Sequence, residues 1–352
     1  MLEKLYSVEQ NKFHKTIKIC GIKFKVFDKK LMHLFVQGIL EKESVFPERN
    51  IFLYSNLDKL TKEQKIWYLS QILYNNAGYF PNLKNPKTFN EKINWMKLNY
   101  YDPNQKNAID KYEFKNYIKE KLGDGYTIPL IAGPFDDVND IDFKSLPEKF
   151  VIKTTTNGSG VGVFIVKDKK RLNINKMKAE LNNLLQDWKK AYYSTLAAGY
   201  KNIKPRIIIE EYMEQLDSNG LYDYKFHCFH GEPKFVLSIK NRSHGKYKYR
   251  FYTPKWESLD IYRESKKDLT DFEKPKTFDK MLEISRILSK DFPFVRVDFY
   301  EIDGKLYVGE LTFTPKGGFG KFTPRKWDYK LGEWLDLSKL NPEYLHTEPE
   351  FE

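Results

Sequence analysis

Apolar positions recur at two periods along this chain, and each change of period marks an element. Residues 13–27 alternate basic and apolar side chains, as a half-buried strand or hairpin does, with Gly21 as its turn. Helical spacing follows over 30–41, 61–74 and 89–101. The last of these opens with Thr88-Phe-Asn-Glu91, a capping threonine with a glutamate three positions on. A helix over 107–122 is ended by Gly123. Strands are predicted at 127–131, 150–153 and 164–166, and an amphipathic helix over 173–191. Beyond residue 200 strands dominate, at 207–213, 222–229, 233–239, 294–300 and 305–312, with one helix over 277–290. His230-Gly-Glu232 and Ile302-Asp-Gly304 are hairpin signals.

Strands and helices meeting in this order predict an α+β fold, sheets layered with helices. The chain is read as a basic strand segment plus helical region (1–100), two α+β segments (101–200 and 201–337), and an acidic tail (338–352) expected to fray.

Composition narrows the class. The 352 residues are 41% hydrophobic and 16% aromatic, which suits a folded chain and excludes general disorder. The two cysteines, Cys20 and Cys228, are far apart and form no CxxC, so neither a zinc site nor a disulfide framework is expected, and a reducing compartment fits. The first residues lack the apolar run of a signal peptide, so a soluble, cytoplasmic protein is expected. The net charge of +12 is spread, without a nucleic-acid-binding motif, and nucleic acid is not an expected partner. Attraction to anionic substrates or to an anionic membrane face, and plain lysine-rich solubility, both account for it. Residues 1–30 hold eight lysines against Glu3, Glu9 and Asp28, which reads as a lysine-protected edge strand or as a contact with the inner membrane face.

Chemistry concentrates in two places. The first is Phe150-Val-Ile-Lys153 running into Thr-Thr-Thr-Asn157-Gly158-Ser159-Gly160-Val-Gly162. The glycines let backbone approach a phosphate, and a lysine in an apolar strand needs an anion. The segment runs strand to strand and lacks the Gly-Lys-Ser/Thr of a P-loop, so a tight hairpin is the competing reading. The second is Arg296-Val-Asp298-Phe-Tyr, joined through Ile302-Asp303-Gly304 to Gly309-Glu310-Leu-Thr312. An Asp and a Glu on neighbouring strands suit Mg²⁺, and buried carboxylates need partners. Parity tests this idea, because residues two apart share a face. A three-residue loop pairs Glu301 with Lys305, sets Arg296 opposite Glu310, and puts Arg296, Asp298 and Glu310 on one face. A two-residue loop separates the carboxylates. The three-residue loop is the expectation.

In order, Asp110-Lys111, Val-Ile-Lys153 with its glycine turn, Ile-Ile-Glu210-Glu211-Tyr212-Met213, Asp223-Tyr-Lys225, Arg296-Val-Asp298 and Gly-Glu310-Leu-Thr312 resemble the ATP-grasp superfamily. The wording Leu-Pro-Glu-Lys-Phe-Val-Ile-Lys, Asp-Tyr-Lys-Phe-His-Cys-Phe-His-Gly and Gly-Glu-Leu-Thr-Phe-Thr-Pro is similar to its TupA-like branch, named for teichuronopeptide biosynthesis. The resemblance spans roughly residues 85–335. It implies an ATP-grasp fold, two α+β subdomains clasping ATP between antiparallel sheets, behind a mainly helical N-terminal extension. It implies Lys111 and Lys153 on ATP phosphates, Gly158, Ser159, Gly160 and Gly162 as a closing loop, Glu210 on the adenine amino group with Glu211, Tyr212 and Met213 at the ring edge, and Asp223 on the ribose. Lys225 is expected to reach the triphosphate and Arg296 to steady the transferred phosphate. Asp298 and Glu310 match the Mg²⁺ ligands. Thr312 departs from the usual Asn.

The implied reaction joins a carboxylate to an amine through an acyl phosphate, and no protein nucleophile is needed. The branch implies a uronic acid of a bacterial surface polysaccharide or its precursor, joined to an amino acid or small amine. Lys240-Asn-Arg-Ser-His-Gly-Lys-Tyr-Lys-Tyr-Arg250 reads either as a grip for an acidic glycan or as a solvated loop. Trp256, Trp327 and Trp334 read as core, and His227 and His230 as neutral structural groups. The rivals are a kinase of the same scaffold acting on a sugar or lipid carrier, and a non-catalytic glycan-binding or glycosyltransferase-type protein. The carboxylate pair argues against the latter.

Overall fold

The computed structural model describes residues 6–11, 14–19, 22–27, 62–158, 160–214, 222–240, 248–262 and 271–345. Cys20, Gly21, the predicted helix at 30–41, Ser159 and residues 241–247 of the basic stretch lie outside the described residues. The chain divides into two compact units, Met1–Leu60 and Thr61–Glu352. In the first, strands β1 (Tyr6–Asn11), β2 (His14–Ile19) and β3 (Ile22–Phe27) form an antiparallel sheet in that order. The predicted 13–27 hairpin is present as β2 and β3. Among the described residues no helix is long and apolar enough to cross a membrane.

The second unit opens with helices Lys62–Ala77 and Phe89–Asn99. The capping box at Thr88 is complete: its hydroxyl accepts from the Glu91 N–H at 3.1 Å, and the Glu91 carboxylate accepts from the Thr88 N–H at 2.9 Å. The single helix predicted over 107–122 is two, Gln105–Ile109 and Glu113–Leu122. The break falls at Asp110, whose backbone is extended and whose Oδ1 accepts from the N–H groups of Tyr112 and Glu113, both at 2.9 Å. Aspartate competes for backbone donors in this way, so it starts a helix more readily than it continues one. The break leaves Lys111 between the helices.

A four-stranded sheet follows, in the order β4-β7-β5-β6: β4 (Leu130–Phe135), β5 (Phe150–Thr154), β6 (Val163–Val166) and β7 (Ile207–Glu211). The strand predicted at 127–131 starts later because Pro129 has no N–H for the ladder; pairing begins with Leu130 opposite Glu210. Helix Ile174–Gln186 covers this sheet, burying Met177 and Leu181 against Phe150, Ile152, Ile207 and Ile209.

The five-stranded sheet has the order β10-β9-β8-β11-β12, with β8 (Tyr222–Phe229), β9 (Glu232–Lys240), β10 (Lys248–Tyr252), β11 (Phe294–Ile302) and β12 (Lys305–Thr312). All described pairs in both sheets are antiparallel. One face packs on helix Phe278–Ser289, where Phe226, Val297 and Phe299 meet Phe278, Met281 and Ile284. Each such side chain contributes ~1.5–3 kcal/mol relative to exposure. The other face is apolar toward Phe229, Phe235 and Phe294, which pack on Phe89, Ile93 and Leu331. Leu331 belongs to helix Lys326–Trp334, which the sequence pattern did not announce. Residues from both sides of position 100 therefore share one core. The tail expected to fray is held as far as Leu345, where Tyr101 N–H donates to the Tyr344 carbonyl at 2.8 Å and Tyr100 bridges Leu345.

Candidate active site

The β11–β12 hairpin departs from expectation and reaches the expected result. Its loop is two residues, with Ile302 pairing Lys305. Asp303 and Gly304 both take positive φ, 50° and 80°, the turn whose twist matches that of the strands. By parity alone this loop separates the carboxylates. A β-bulge restores them: Phe299 pairs Val308, but Asp298 pairs Glu310, leaving Gly309 as the extra residue. A Cβ on Gly309 would lie 2.5 Å from the Tyr300 ring, so the position has no room for a side chain.

Arg296, Asp298, Glu310 and Thr312 thus form a two-by-two block on one face, with Arg296 opposite Thr312. Arg296 clamps Asp298 through both nitrogens, Nε to Oδ1 at 2.5 Å and Nη2 to Oδ2 at 2.6 Å, and Nη2 also donates to Thr312 Oγ1 at 3.0 Å. Glu310 stands 3.6 Å from the same guanidinium and keeps 40% of its side chain exposed. On the neighbouring strand Lys225 pairs Asp298, with Nζ 2.6 Å from Oδ2 and 3.4 Å from the buried Asp223. Burial alone would raise the Asp298 carboxyl; Arg296 and Lys225 overcome it and hold it down at about 2. Burial would lower the Arg296 guanidinium, and Asp298 holds it above its ordinary value.

The opposite sheet supplies the second group. Glu210, on β7, meets Lys153, on the adjacent β5, and Lys115 Nζ at 2.5 Å. Burial pushes the Glu210 carboxyl up, and the two ammonium groups bring it below its ordinary value. Lys153 therefore has its anion within the protein. Lys115 also donates to the Ile128 carbonyl at 2.6 Å, and no motif marked it in advance. Lys111 is within electrostatic reach of both groups. Its Nζ donates to the Asn157 carbonyl, burial lowers its ammonium pKa, and Glu310 then Lys153, Asp110 and Glu210 act on it from both sheets.

The Lys111 segment is fastened to the end of β5. Lys111 N–H donates to the Thr155 carbonyl at 3.2 Å. Arg206 reaches Asp110 at 3.0 Å and Glu113 at 2.9 Å, while its own backbone N–H donates to Thr155 Oγ1. From there Gly160 and Gly162 take φ 83° and 70°, Val161 N–H donates to the Gly158 carbonyl at 3.1 Å, and Thr154 N–H closes on the Gly162 carbonyl at 2.9 Å. Glu211 is exposed at the end of β7, Met213 is half-buried, and the Tyr212 ring lies between Lys149 and Lys167.

His227 stacks on Phe235 at 4.1 Å, and His230 Nε2 accepts from the Asp336 N–H. Arg250 is buried on β10 and pairs Asp271, so the basic stretch is strand from Lys248 onward. Trp256 stacks on Tyr252, and Trp334 packs among Phe229 and Phe235.

The donor set suits a hard cation. Asp298 and Glu310 offer carboxylate oxygens side by side, and Glu310 has an exposed one. Among the described residues no three His, Cys, Asp or Glu groups converge, so this is no all-protein cage. Mg²⁺ uses one or two carboxylates and takes its remaining ligands from phosphate and water.

No curated protein matches the chain. Solved structures similar to it include D-alanine–D-alanine ligase from Helicobacter pylori, at 18% identity and TM-score 0.36, covering 65% of this chain and 60% of that one. D-alanyl-alanine synthetase A from Vibrio cholerae is similar at 14% identity and TM-score 0.39, covering 70% of each chain. The ATP-grasp ligase PsnB, complexed with a precursor variant, Mg and ADP, is similar at 12% identity and TM-score 0.35, covering 67% of this chain and 60% of that one. The chain thus spans about three fifths of the Helicobacter ligase. A family described as TupA-like ATPgrasp matches residues 91–336, which takes in every residue of both groups, and the chain belongs to that family.

Proposed function

We propose that the protein is an ATP-dependent carboxylate–amine ligase that joins an amino acid or small amine to a uronic acid of a bacterial surface polysaccharide or its precursor. The observation that carries the reading is the placement of Asp298 directly opposite Glu310 beside a fixed guanidinium, with Lys111 fastened to the end of β5, the strand that carries Lys153.

The substrate carboxylate attacks the γ-phosphate of ATP, giving an acyl phosphate and ADP; the amine then displaces phosphate and leaves an amide. Arg296 is held in plane by Asp298 and Thr312, so it meets the transferring phosphoryl group without reorganising. Among the described residues the Lys111 ammonium is hydrogen-bonded by carbonyl oxygens, and an arriving phosphate gives it a charged partner. Lys153 and Lys115 steer Glu210 toward the nucleotide base, and the backbone at Gly160 and Gly162 shields the acyl phosphate from water. Asp298 and Glu310 would hold Mg²⁺, which when bound neutralises charge on the phosphates. The family, the basic charge and the TupA-like wording support the acidic glycan as substrate, with the cytoplasmic face of the membrane as its place.

The test supplies ATP, Mg²⁺, a uronic-acid acceptor and a pool of amines. Amine-dependent ADP release with an amide product by mass spectrometry is expected. A phosphorylated sugar or lipid product in its place rejects the ligase in favour of a kinase.

A further inference from the structure

Lys97, in helix Phe89–Asn99, is 6% exposed. Its Nζ donates to Asn94 Oδ1 at 3.0 Å and to the Gly317 carbonyl, and stands 4.1 Å from the centre of the Phe319 ring. All three partners are uncharged. By contrast Arg296, Arg206, Lys225 and Lys115 each meet a carboxylate. Burial pushes the Lys97 ammonium well below its ordinary value, and among the described residues no charged neighbour opposes it. A buried ammonium without a counter-charge is costly, and such a group persists where something else repays it.

Lys97 lines a cavity of about 40 Å³ whose polar wall includes Tyr100, Tyr101, Gln105, Tyr200 and Thr314. One water needs ~10–15 Å³ of such space, so the cavity takes a group of carboxylate size. It also adjoins the candidate active site. Phe313 and Thr314 in its wall follow Thr312 directly, and Ile109 precedes Asp110-Lys111. Tyr200 lines the cavity, and its hydroxyl is pushed up first by burial and then by the Glu310 charge, so that carboxylate is within electrostatic reach of the cavity wall.

We propose that this cavity seats a carboxylate of one of the two substrates, with Lys97 as its counter-charge, while the reacting end of the same molecule lies at Arg296 and Glu310. The inference rests on the ligase reading and deepens it, since it assigns a specificity residue outside the nucleotide site. The carboxylate has two sources. If it belongs to the amine substrate, the enzyme selects amino acids over plain amines. If it belongs to the sugar, the acceptor carries a second acid group.

Calorimetric titration of the full chain, loaded with Mg²⁺ and a non-hydrolysable ATP analogue, separates them. The probes are L-alanine against L-alaninamide, and glucuronate against glucuronamide. One acid is expected to bind roughly tenfold to a hundredfold tighter than its amide. Tighter alanine identifies the amine substrate as the source, and tighter glucuronate the sugar. Lys97→Met is expected to weaken the favoured acid to the level of its amide while analogue affinity and melting temperature hold. Acid and amide binding alike, neither acid binding, or a variant that keeps the preference overturns the proposal. The acid–amide comparison needs no variant, so a Lys97→Met that fails to fold leaves the proposal exposed. No turnover is read, so absence of an amide product in the ligase assay and absence of a carboxylate preference here are separate failures.

Discussion

Asp298 faces Glu310 across β11 and β12 because Gly309 is bulged out between the pairs Phe299–Val308 and Asp298–Glu310. A one-residue slip carries every side chain beyond it to the other face. Deleting Gly309 joins Val308 to Glu310 in a regular ladder, so Glu310 still faces Asp298 and Thr312 still faces Arg296. ATP-dependent turnover of the deletion is expected to stay within about tenfold of wild type, ~1.4 kcal/mol, whereas Glu310→Ala, which removes the carboxylate itself, is expected to fall at least about a hundredfold, ~2.7 kcal/mol or more. Gly309→Val keeps the register but drives a side chain into Tyr300, at a cost of about 1–3 kcal/mol in stability. Steady-state assay and thermal melting of the three variants check this, and a Glu310→Ala variant with wild-type turnover removes the carboxylate pair from the chemistry.

The Asp298 carboxylate also ties the active site to acid stability. Its folded value of about 2 lies below the ordinary 3.8. A depressed folded value adds stability that is fully present above the unfolded value and lost as pH falls through the folded one. That contribution is about 2 kcal/mol, and it disappears between about pH 4 and pH 2. Asp298→Asn should lack this segment of the acid unfolding curve. It should also cost about 3–5 kcal/mol at neutral pH, because Arg296 and Lys225 are left buried without their shared anion. Urea melts at stepped pH measure both, and parallel wild-type and variant curves below pH 4 contradict the argument.

Much of this site was legible because its residues lie on strands, where position fixes facing. Arg296, Asp298, Glu310 and Thr312 were all named from the sequence, and they do share one face. The route there was misjudged: a three-residue loop was expected where a two-residue turn and a bulge produce the same facing. A bulge is a tertiary choice, and Gly309 marks it only once Tyr300 is known to lie over it. Lys115 and Arg206 were invisible for a related reason. Each is defined by partners distant in sequence, Glu210 and Asp110, and no local pattern announces such pairs. The break at Asp110 was concealed by good helix formers on both sides, which hide a cap residue inside a continuous apolar period. Helix Lys326–Trp334 was missed because only Leu331 and Gly332, with Asp328, are buried, too narrow a stripe to read.

Arg206 joins Asp110 and Glu113 to the end of β5, and so fixes Lys111 relative to Lys153. Arg206→Met removes the charge, and with it the guanidinium that lies over the Tyr112 ring. The KM for ATP is expected to rise about tenfold, near 1.4 kcal/mol, with a smaller change in kcat. Restoring the cation with Arg206→Lys should recover part of the loss, since one of the two ion pairs can re-form. A kcat loss with unchanged KM would show that Arg206 serves the transfer step and not the seating of the nucleotide.

Glu310 differs from Asp298 in having little to lose when a cation arrives. Asp298 is locked by three charge-assisted contacts, two from Arg296 and one from Lys225, whereas among the described residues Glu310 has one long ion pair and keeps much of its side chain exposed. The response to Mg²⁺ should therefore divide between the two. Glu310→Gln is expected to leave melting temperature within a few degrees and to raise the Mg²⁺ concentration for half-maximal turnover at least about tenfold, the worth of one carboxylate ligand. Excess Mg²⁺ should restore much of the rate. Asp298→Asn should lose stability and turnover together, with no rescue by Mg²⁺. Chelation of the wild-type protein should abolish turnover and return it on adding Mg²⁺ back. Titrating Mg²⁺ across the three proteins decides the point: equal half-saturation in wild type and Glu310→Gln would place the cation away from Glu310.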